Sequence, residues 1–279
     1  MIRLHLPCFL VTAVCLTAID LYAQQSGTAT SETFDADLKQ QNDPTILSRR
    51  VWLEKEWNHF DDSSNAVEDT FGALWAWRLS DTTDWAVRVK LPVKYRFGSD
   101  DPAVSDIGGF GDMKVATGAA ARLSDNWRIG GGVDLEFPTG RHELSDNAWR
   151  IQEFVAVGWD ITPKFTFSPS LEYNQSLSTE GSAADIHSLE IFAPFTFVLP
   201  DKWAIGAGYE NKADFENDAD THRGKIFVVK ELTNVPLSFA LSAKRDFNGG
   251  PKEFQVNFVL TYFFRTKAVQ PSAPAPDTK

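Results

Sequence analysis

The chain has 279 residues and a net charge of −11. That acidic balance argues against a nucleic-acid binder, which needs a clustered basic surface. Its two cysteines are Cys8 and Cys15, so beyond them disulfides, thiolate metal sites and cysteine nucleophiles are excluded.

Taken in chain order, Arg3 supplies a positive start, residues 9–19 an apolar run, and Leu21, Tyr22 and Ala23 a small-residue cleavage site before Gln24. This pattern predicts a secretory signal peptide over 1–23. A membrane helix would need roughly 20 apolar residues, more than this run offers. Val14 stands before Cys15 where a lipoprotein box wants a small residue. Residues 24–45 are polar and read as a periplasmic linker, flexible or briefly helical, with no role assigned. Residues 265–279 alternate Pro with Ala and Ser and read as a disordered periplasmic tail.

Between them, 46–264 contains twelve alternating segments, at 47–60, 68–79, 85–97, 112–123, 127–137, 149–161, 165–177, 188–199, 203–213, 224–232, 237–247 and 253–264. The clearest lies in 123–140, LSDNWRIGGGVDLEFPTG. Trp127, Ile129, Gly131, Val133, Leu135 and Phe137 fall on one face, and Arg128, Gly130, Gly132, Asp134 and Glu136 on the other. Short turns at 80–84, 124–126, 162–164, 200–202 and 233–236 alternate with longer, mostly acidic loops at 98–111, 138–148, 178–187 and 214–223. Short turns at one rim and long loops at the other predict an all-β fold, a single up-and-down antiparallel transmembrane β-barrel of 12 strands with short periplasmic turns and longer extracellular loops.

Aromatics set the register. Trp85, Trp127, Phe165 and Trp203 each follow a short turn, and Tyr95, Phe97, Phe137, Tyr173 and Tyr209 share their parity further along. Aromatics at both ends of one face predict paired membrane girdles. At about 3.3 Å per residue and a tilt near 45°, the stretch from Trp85 to Phe97 rises roughly 30 Å, enough to cross a bilayer core. Strands of a soluble sandwich, usually about five or six residues, are shorter. Phe254, Val256, Phe258, Leu260, Tyr262 and Phe264 form an apolar face on the last segment, similar to the terminal recognition strand of outer-membrane proteins.

Two loop motifs carry a resemblance. Gly108-Gly109-Phe110-Gly111-Asp112 precedes a strand of small residues, and Phe137-Pro138-Thr139-Gly140 closes the next. This pair resembles the outer-membrane channel family labelled MetA-pathway of phenol degradation. The resemblance is specific over 108–140 and architectural elsewhere. It implies an outer-membrane pore for small, often aromatic or hydrophobic, compounds.

With the girdle parity outward, the other face should line the lumen. It carries Arg88, Lys90, Lys94 and Arg96 on the third segment, then Lys114, Arg122 and Arg128. Acids follow at Asp134, Glu136, Glu172, Glu190 and Glu210. Unpaired charges in a low-dielectric lumen are costly, so these must pair across it or stay hydrated. One reading is a water-filled pore with a basic wall facing an acidic one, filtering polar or anionic solutes. The other is a filled lumen of structural ladders, a non-conducting or anchoring barrel.

Catalysis finds little support. His59, His142, His187 and His222 fall near the long-loop rim, and adjacent His187 and Ser188 would point to opposite faces of a strand. No histidine shows metal-ligand spacing. An outer-membrane lipid-modifying enzyme is the remaining enzymatic alternative, with no motif behind it. Asp100, Asp101, Asp106, Glu216, Asp218 and Asp220 are either solvated loop charges or holders of divalent cations that bridge lipopolysaccharide phosphates. The expectation is therefore a passive channel in the bacterial outer membrane, with no catalytic residue, metal or cofactor assigned. Its partners would be outer-membrane lipid and lipopolysaccharide, the barrel-assembly machinery and a small solute.

Overall fold

The computed structural model describes residues 38–39, 42–60, 64–98, 106–181, 184–248 and 252–264. The signal sequence, the tail, Asp100, Asp101 and most of the linker lie outside them. Within the described residues twelve antiparallel strands close on themselves. β1 (Arg50–Phe60), β2 (Asn65–Arg78) and β3 (Thr83–Phe97) are followed by β4 in two pieces, Ile107–Phe110 and Met113–Arg122. β5 (Trp127–Phe137) and β6 (Ala148–Thr162) come next, and β7 is again in two pieces, Phe165–Phe167 and Ser170–Thr179. β8 (His187–Leu199), β9 (Trp203–Asp214), β10 (Ala219–Glu231), β11 (Leu237–Asn248) and β12 (Lys252–Phe263) complete the wall. Each strand pairs with the next, and β12 returns to β1, with Arg50 opposite Phe263 and Trp57 opposite Val256. The twelve-stranded barrel expected from the alternation is the observed one.

Two loop boundaries differ: Ile107–Phe110, expected within the loop at 98–111, is a strand piece paired with β3. The loop expected over 214–223 shrinks to the turn at 215–218, because polar residues there continue the ladder, Asn211 opposite His222 and Lys212 opposite Thr221. Asp214 closes this turn by accepting the N–H groups of Glu216 and Asn217 at 3.0 and 3.2 Å.

The two strand interruptions have one cause. Proline has no N–H to donate, so the ladder loses a bond wherever it enters. Pro92 of β3 stands beside the break at Gly111 and Asp112, where Gly111 N–H donates to the Pro92 carbonyl at 3.0 Å. At the break between the β7 pieces, Ser168 N–H donates to the Pro194 carbonyl at 3.1 Å, and the Pro169 carbonyl accepts from Val157 N–H at 2.9 Å.

The first break holds a clamp. Asp112 is buried and its carboxylate accepts from Gly140 N–H at 3.0 Å, Ser145 Oγ at 2.9 Å and Asp146 N–H at 2.8 Å. Thr139 Oγ1 accepts from Met113 N–H at 3.0 Å. A Cβ on Gly140 would come within 2.8 Å of the Gly111 backbone, so only glycine permits this approach. The two sequence motifs are thus the two halves of one hydrogen-bonded clamp between β4 and the loop after β5.

Large apolar side chains point outward. Leu53, Leu91, Leu135, Val155, Ile205 and Leu241 are all exposed, which only a lipid solvent makes favourable across so wide a surface. Aromatic pairs bound this band. Trp77 stacks on Trp85 at 4.8 Å and Trp127 on Trp159 at 5.1 Å near the short turns, while Phe137 meets Trp149 edge-on at 5.1 Å near the long loops.

Replacing Asp112 by Ala should free three donors at once, each charge-assisted bond contributing about 1.5–3 kcal/mol. We expect a folded barrel whose 138–147 loop becomes protease-sensitive and whose denaturant midpoint falls. Unchanged resistance would show that other contacts hold the loop.

Candidate functional site

The inward face is built from small residues and charges. Arg88 and Asp134 stand on either side of Ala116, each in register with it, and meet over its methyl group at 2.5 Å. Glu136 takes Lys114 at 3.1 Å and also Arg150, which reaches Asp146 at 3.0 Å. Gln152 donates to Glu172, and Glu68 lies 4.0 Å from Lys94. On the opposite wall Glu210 accepts from Arg223 at 2.5 Å and Lys244 at 2.9 Å, and Arg223 also binds Asp246. Glu190 is in register with Glu172 on one side and Lys212 on the other. Lys90 borders a recess with Glu54, Glu56 and Glu68, and the Arg96 guanidinium lies 5.8 Å from the Phe60 ring. Arg122 is exposed at the short-turn rim, in register with Arg128.

So the basic stripe of β3 and the acids of β5 do not face each other across an empty bore. Arg88 pairs with Asp134, Lys94 lies by Glu68, and Lys114 and Arg150 hold Glu136. Arg150, Arg223 and Lys244 supply cations that the sequence reading passed over. Their parity on the inward face was visible, but they were overshadowed by the cation row of β3.

A second set of contacts had no sequence signal. Part of the polar stretch read as a linker lies inside the barrel at its short-turn end. Leu38 is fully buried against Val198, Ala204, Phe227, Val229 and Ala240. Lys39 donates to Asp160 at 2.8 Å and to the Pro163 carbonyl at 3.1 Å. Lys225 donates to Asn42 Oδ1 at 2.8 Å, and Ser168 Oγ donates to the Asn42 carbonyl at 3.1 Å. Arg128 is the hub: its guanidinium donates to Asp43 at 3.0 Å, to Thr45 Oγ1 at 3.2 Å and to Asp160. Gly158, opposite Arg128, leaves the space, since a Cβ there would stand 2.5 Å from Thr45 Oγ1 and 3.0 Å from Arg128 Nε. A segment of few apolar residues can fold here because its polar groups meet wall charges that would otherwise lie unpaired.

Between this segment and the wall lies a cavity of about 240 Å³, bordered by Pro44, Leu47, Arg88, Phe154, Phe192 and Lys225. The Lys225 ammonium sits 5.1 Å from the Phe192 ring. Oxygens of Asp112, Glu136 and Asp146 lie within 4.8 Å of one another at the long-loop side. The loop donors on Asp112, with Lys114 and Arg150 on Glu136, already neutralise that trio, so no cation is assigned to it.

The sequence-derived girdle positions lie on the outward face. Trp85 and Trp127 stack as described, Phe165 stacks on Phe195 at 5.7 Å, and Trp203 meets Phe239 at 6.4 Å. Towards the long loops Phe97 is exposed, Phe137 packs on Trp149, Tyr173 bonds His187 at 2.7 Å and Tyr209 bonds His222.

Comparison with known proteins follows from this geometry. The chain is similar to the COG4313 outer membrane channel from Pseudomonas putida F1, with TM-score 0.67 and 17% identity over 78% of this chain and 96% of that one. It is similar to a NanC porin, with TM-score 0.52 and 13% identity over 78% and 100% of the two chains. The translocator domain of the autotransporter NalP from Neisseria meningitidis gives TM-score 0.54 and 10% identity over 88% and 100%. Likeness at such identities shows the fold alone, a closed antiparallel β-barrel of the kind found in outer-membrane proteins. No curated protein matches. Residues 37–229 match the family described as "Putative MetA-pathway of phenol degradation", a span that begins at the inserted segment and runs through nearly all of β10. On that match the chain belongs to this MetA-pathway family.

Proposed function

We propose that this barrel is an outer-membrane channel for passive passage of small solutes, closed at its periplasmic mouth by its own N-terminal segment. The observation that carries the reading is the lumen itself: charged walls leave a cavity above residues 38–39 and 42–47, which are held by side-chain bonds rather than by strand pairing. A segment tied in by a few ion pairs can be released, whereas a strand of the wall cannot.

Several features support this direction. Short turns lie at the rim shared by Arg50 and Phe263, and outer-membrane barrels keep short turns on the periplasmic side. Export by the signal sequence over 1–23 and insertion by the barrel-assembly machinery would bring it there, among outer-membrane lipid and lipopolysaccharide. The family description and the apolar rings at the cavity, Phe154 and Phe192, favour aromatic or hydrophobic solutes. Arg88 and Lys225 on the same cavity favour those carrying negative charge. His59, His187 and His222 face outward at the long-loop rim, engaged with Trp57, Tyr173 and Tyr209, so a non-enzymatic protein is the reading we adopt. The local pairing of lumen charges favours the second reading, a filled and non-conducting barrel.

Planar-bilayer recording separates the two. The channel reading expects discrete conductance steps; none at any voltage would leave the structural barrel. Replacing Arg88, Lys90, Lys94 and Arg96 together by neutral residues should shift the reversal potential towards cations, and an unchanged potential would reject their role in selectivity.

The latch gives an independent check. Arg128→Met leaves Asp43 and Asp160 facing each other without their shared cation. Loss of a charge-assisted bond of about 1.5–3 kcal/mol should raise the open-to-closed ratio at least about tenfold. Gly158→Leu should act in the same direction by occupying the space of Thr45. Equal open probability in both variants and the parent would show that the segment does not gate.

A further inference from the structure

The outward face of β6 contains a charge where the membrane should reject one. Glu153 is exposed, points with Ile151 and Val155 towards lipid, and is flanked in register by Val133 of β5 and Tyr173 of β7. Among the described residues no side chain forms an ion pair or hydrogen bond with it. Trp149 and Trp159 mark the two aromatic ends of the strand. Glu153 stands four residues in from the first of these, roughly 9 Å below it at about 3.3 Å per residue and 45° tilt. It therefore lies within the hydrocarbon, where a carboxylate is disfavoured and usually marks a partner.

A complementary site stands on another sector of the same wall. Lys55 of β1 also points outward, four residues in from His59, so its depth matches that of Glu153. It pairs with Asp69 of β2 at 2.7 Å, and its side chain remains 58% exposed against 19% for Asp69. Leu53 and Trp57 flank it on β1, and Phe258 lies in register on β12. The other outward cations stay near the rims. Lys230 covers Trp203 at 4.8 Å, and Arg245 is close to the long-loop end of β11, both placed to reach headgroups.

We propose that copies of this barrel associate side by side in the membrane, with the Glu153 face of one copy seated against the Lys55–Asp69 face of the next. The pairing gives Glu153 a cation and the half-exposed ammonium of Lys55 a second carboxylate, both removed from lipid. The surrounding surfaces, Val133, Ile151 and Val155 on one side and Leu53 and Trp57 on the other, are apolar on both partners. Because the two faces occupy different sectors, the contact is head-to-tail and extends into rows or closes into rings. The inference needs the membrane-embedded barrel but not conduction, so its failure and that of the channel reading are separable.

The test uses the full chain in native outer membranes. The sequence has no cysteine after Cys15, so a Leu53→Cys, Val155→Cys double variant, which keeps Lys55 and Glu153 and labels the outward apolar neighbour of each, should give a ladder of linked barrels when treated with a short bismaleimide. Linked species from Val155→Cys alone would place two β6 faces together and overturn the head-to-tail contact; no linkage in the double variant would overturn association altogether. Folding of each variant is first read from its heat-modifiable gel mobility. In parallel, the parent protein and Glu153→Gln, which removes a lipid-facing charge and so should not hinder folding, are sedimented in lipid nanodiscs large enough for several barrels. The parent should be oligomeric and the Gln variant mainly monomeric. A monomeric parent, meaning a Glu153 simply covered by lipid, rejects the proposal, as does an equally oligomeric Gln variant.

Discussion

Everything in this protein depends on the return of β12 to β1. In hydrocarbon, water offers no partner to an open strand edge, so each backbone N–H and C=O must find one inside the protein. Closure does this for the whole wall, and it fixes which face of every strand meets lipid. The exceptions show how strict the requirement is. Where Pro92 and Pro194 remove donors, the neighbouring strand breaks and its own N–H groups bend back to the proline carbonyls. The wall tolerates interruption but not unsatisfied backbone.

Once the faces are assigned, the charges of the inward face neutralise one another in local pairs. Small residues allow this. Ala116 is short enough for Arg88 and Asp134 to meet above it, and Gly158 opens the space in which Arg128 gathers Asp43, Thr45 and Asp160. The inserted segment is part of the same electrostatic balance. Remove it, and Lys39, Asn42 and Asp43 take their complements with them, leaving Arg128, Asp160 and Lys225 to find water. If the segment gates, closed and open forms differ in who solvates a handful of wall charges, a modest difference of the kind two-state elements use.

The strict period of two made the barrel legible. Trp127 to Phe137 can be read as a membrane strand from its own residues, and the repetition of that pattern supplied the strand count. Parity also located Arg88, Asp134, Glu136 and Glu210 on one face, but it could not tell which charges touch, because that depends on register between strands. Lys244 meets Glu210 from 34 positions away in the chain, a relation set by pairing rather than by spacing. The stretch from Leu38 to Thr45 is the opposite case. It has no periodicity and almost no apolar content, its described residues are held by contacts with β5, β6, β8, β9, β10 and β11 and with Ser168 between the β7 pieces, and nothing local distinguishes it from a linker.

The clamp at Asp112 has a consequence for how this hairpin can change length. From Asp112 the chain runs down through Met113–Arg122, turns, and climbs back through Trp127–Phe137 to present Gly140 to the same carboxylate. The interval between the two motifs is therefore a measuring rod laid twice across the membrane. A thicker bilayer would demand longer strands, yet additions to one arm alone would slide Gly140 past Asp112, and an odd number of them would also turn every later side chain to the wrong face. Only matched additions of two residues on each arm keep both the parity and the clamp, so the hairpin can grow in steps of four residues and in no smaller unit.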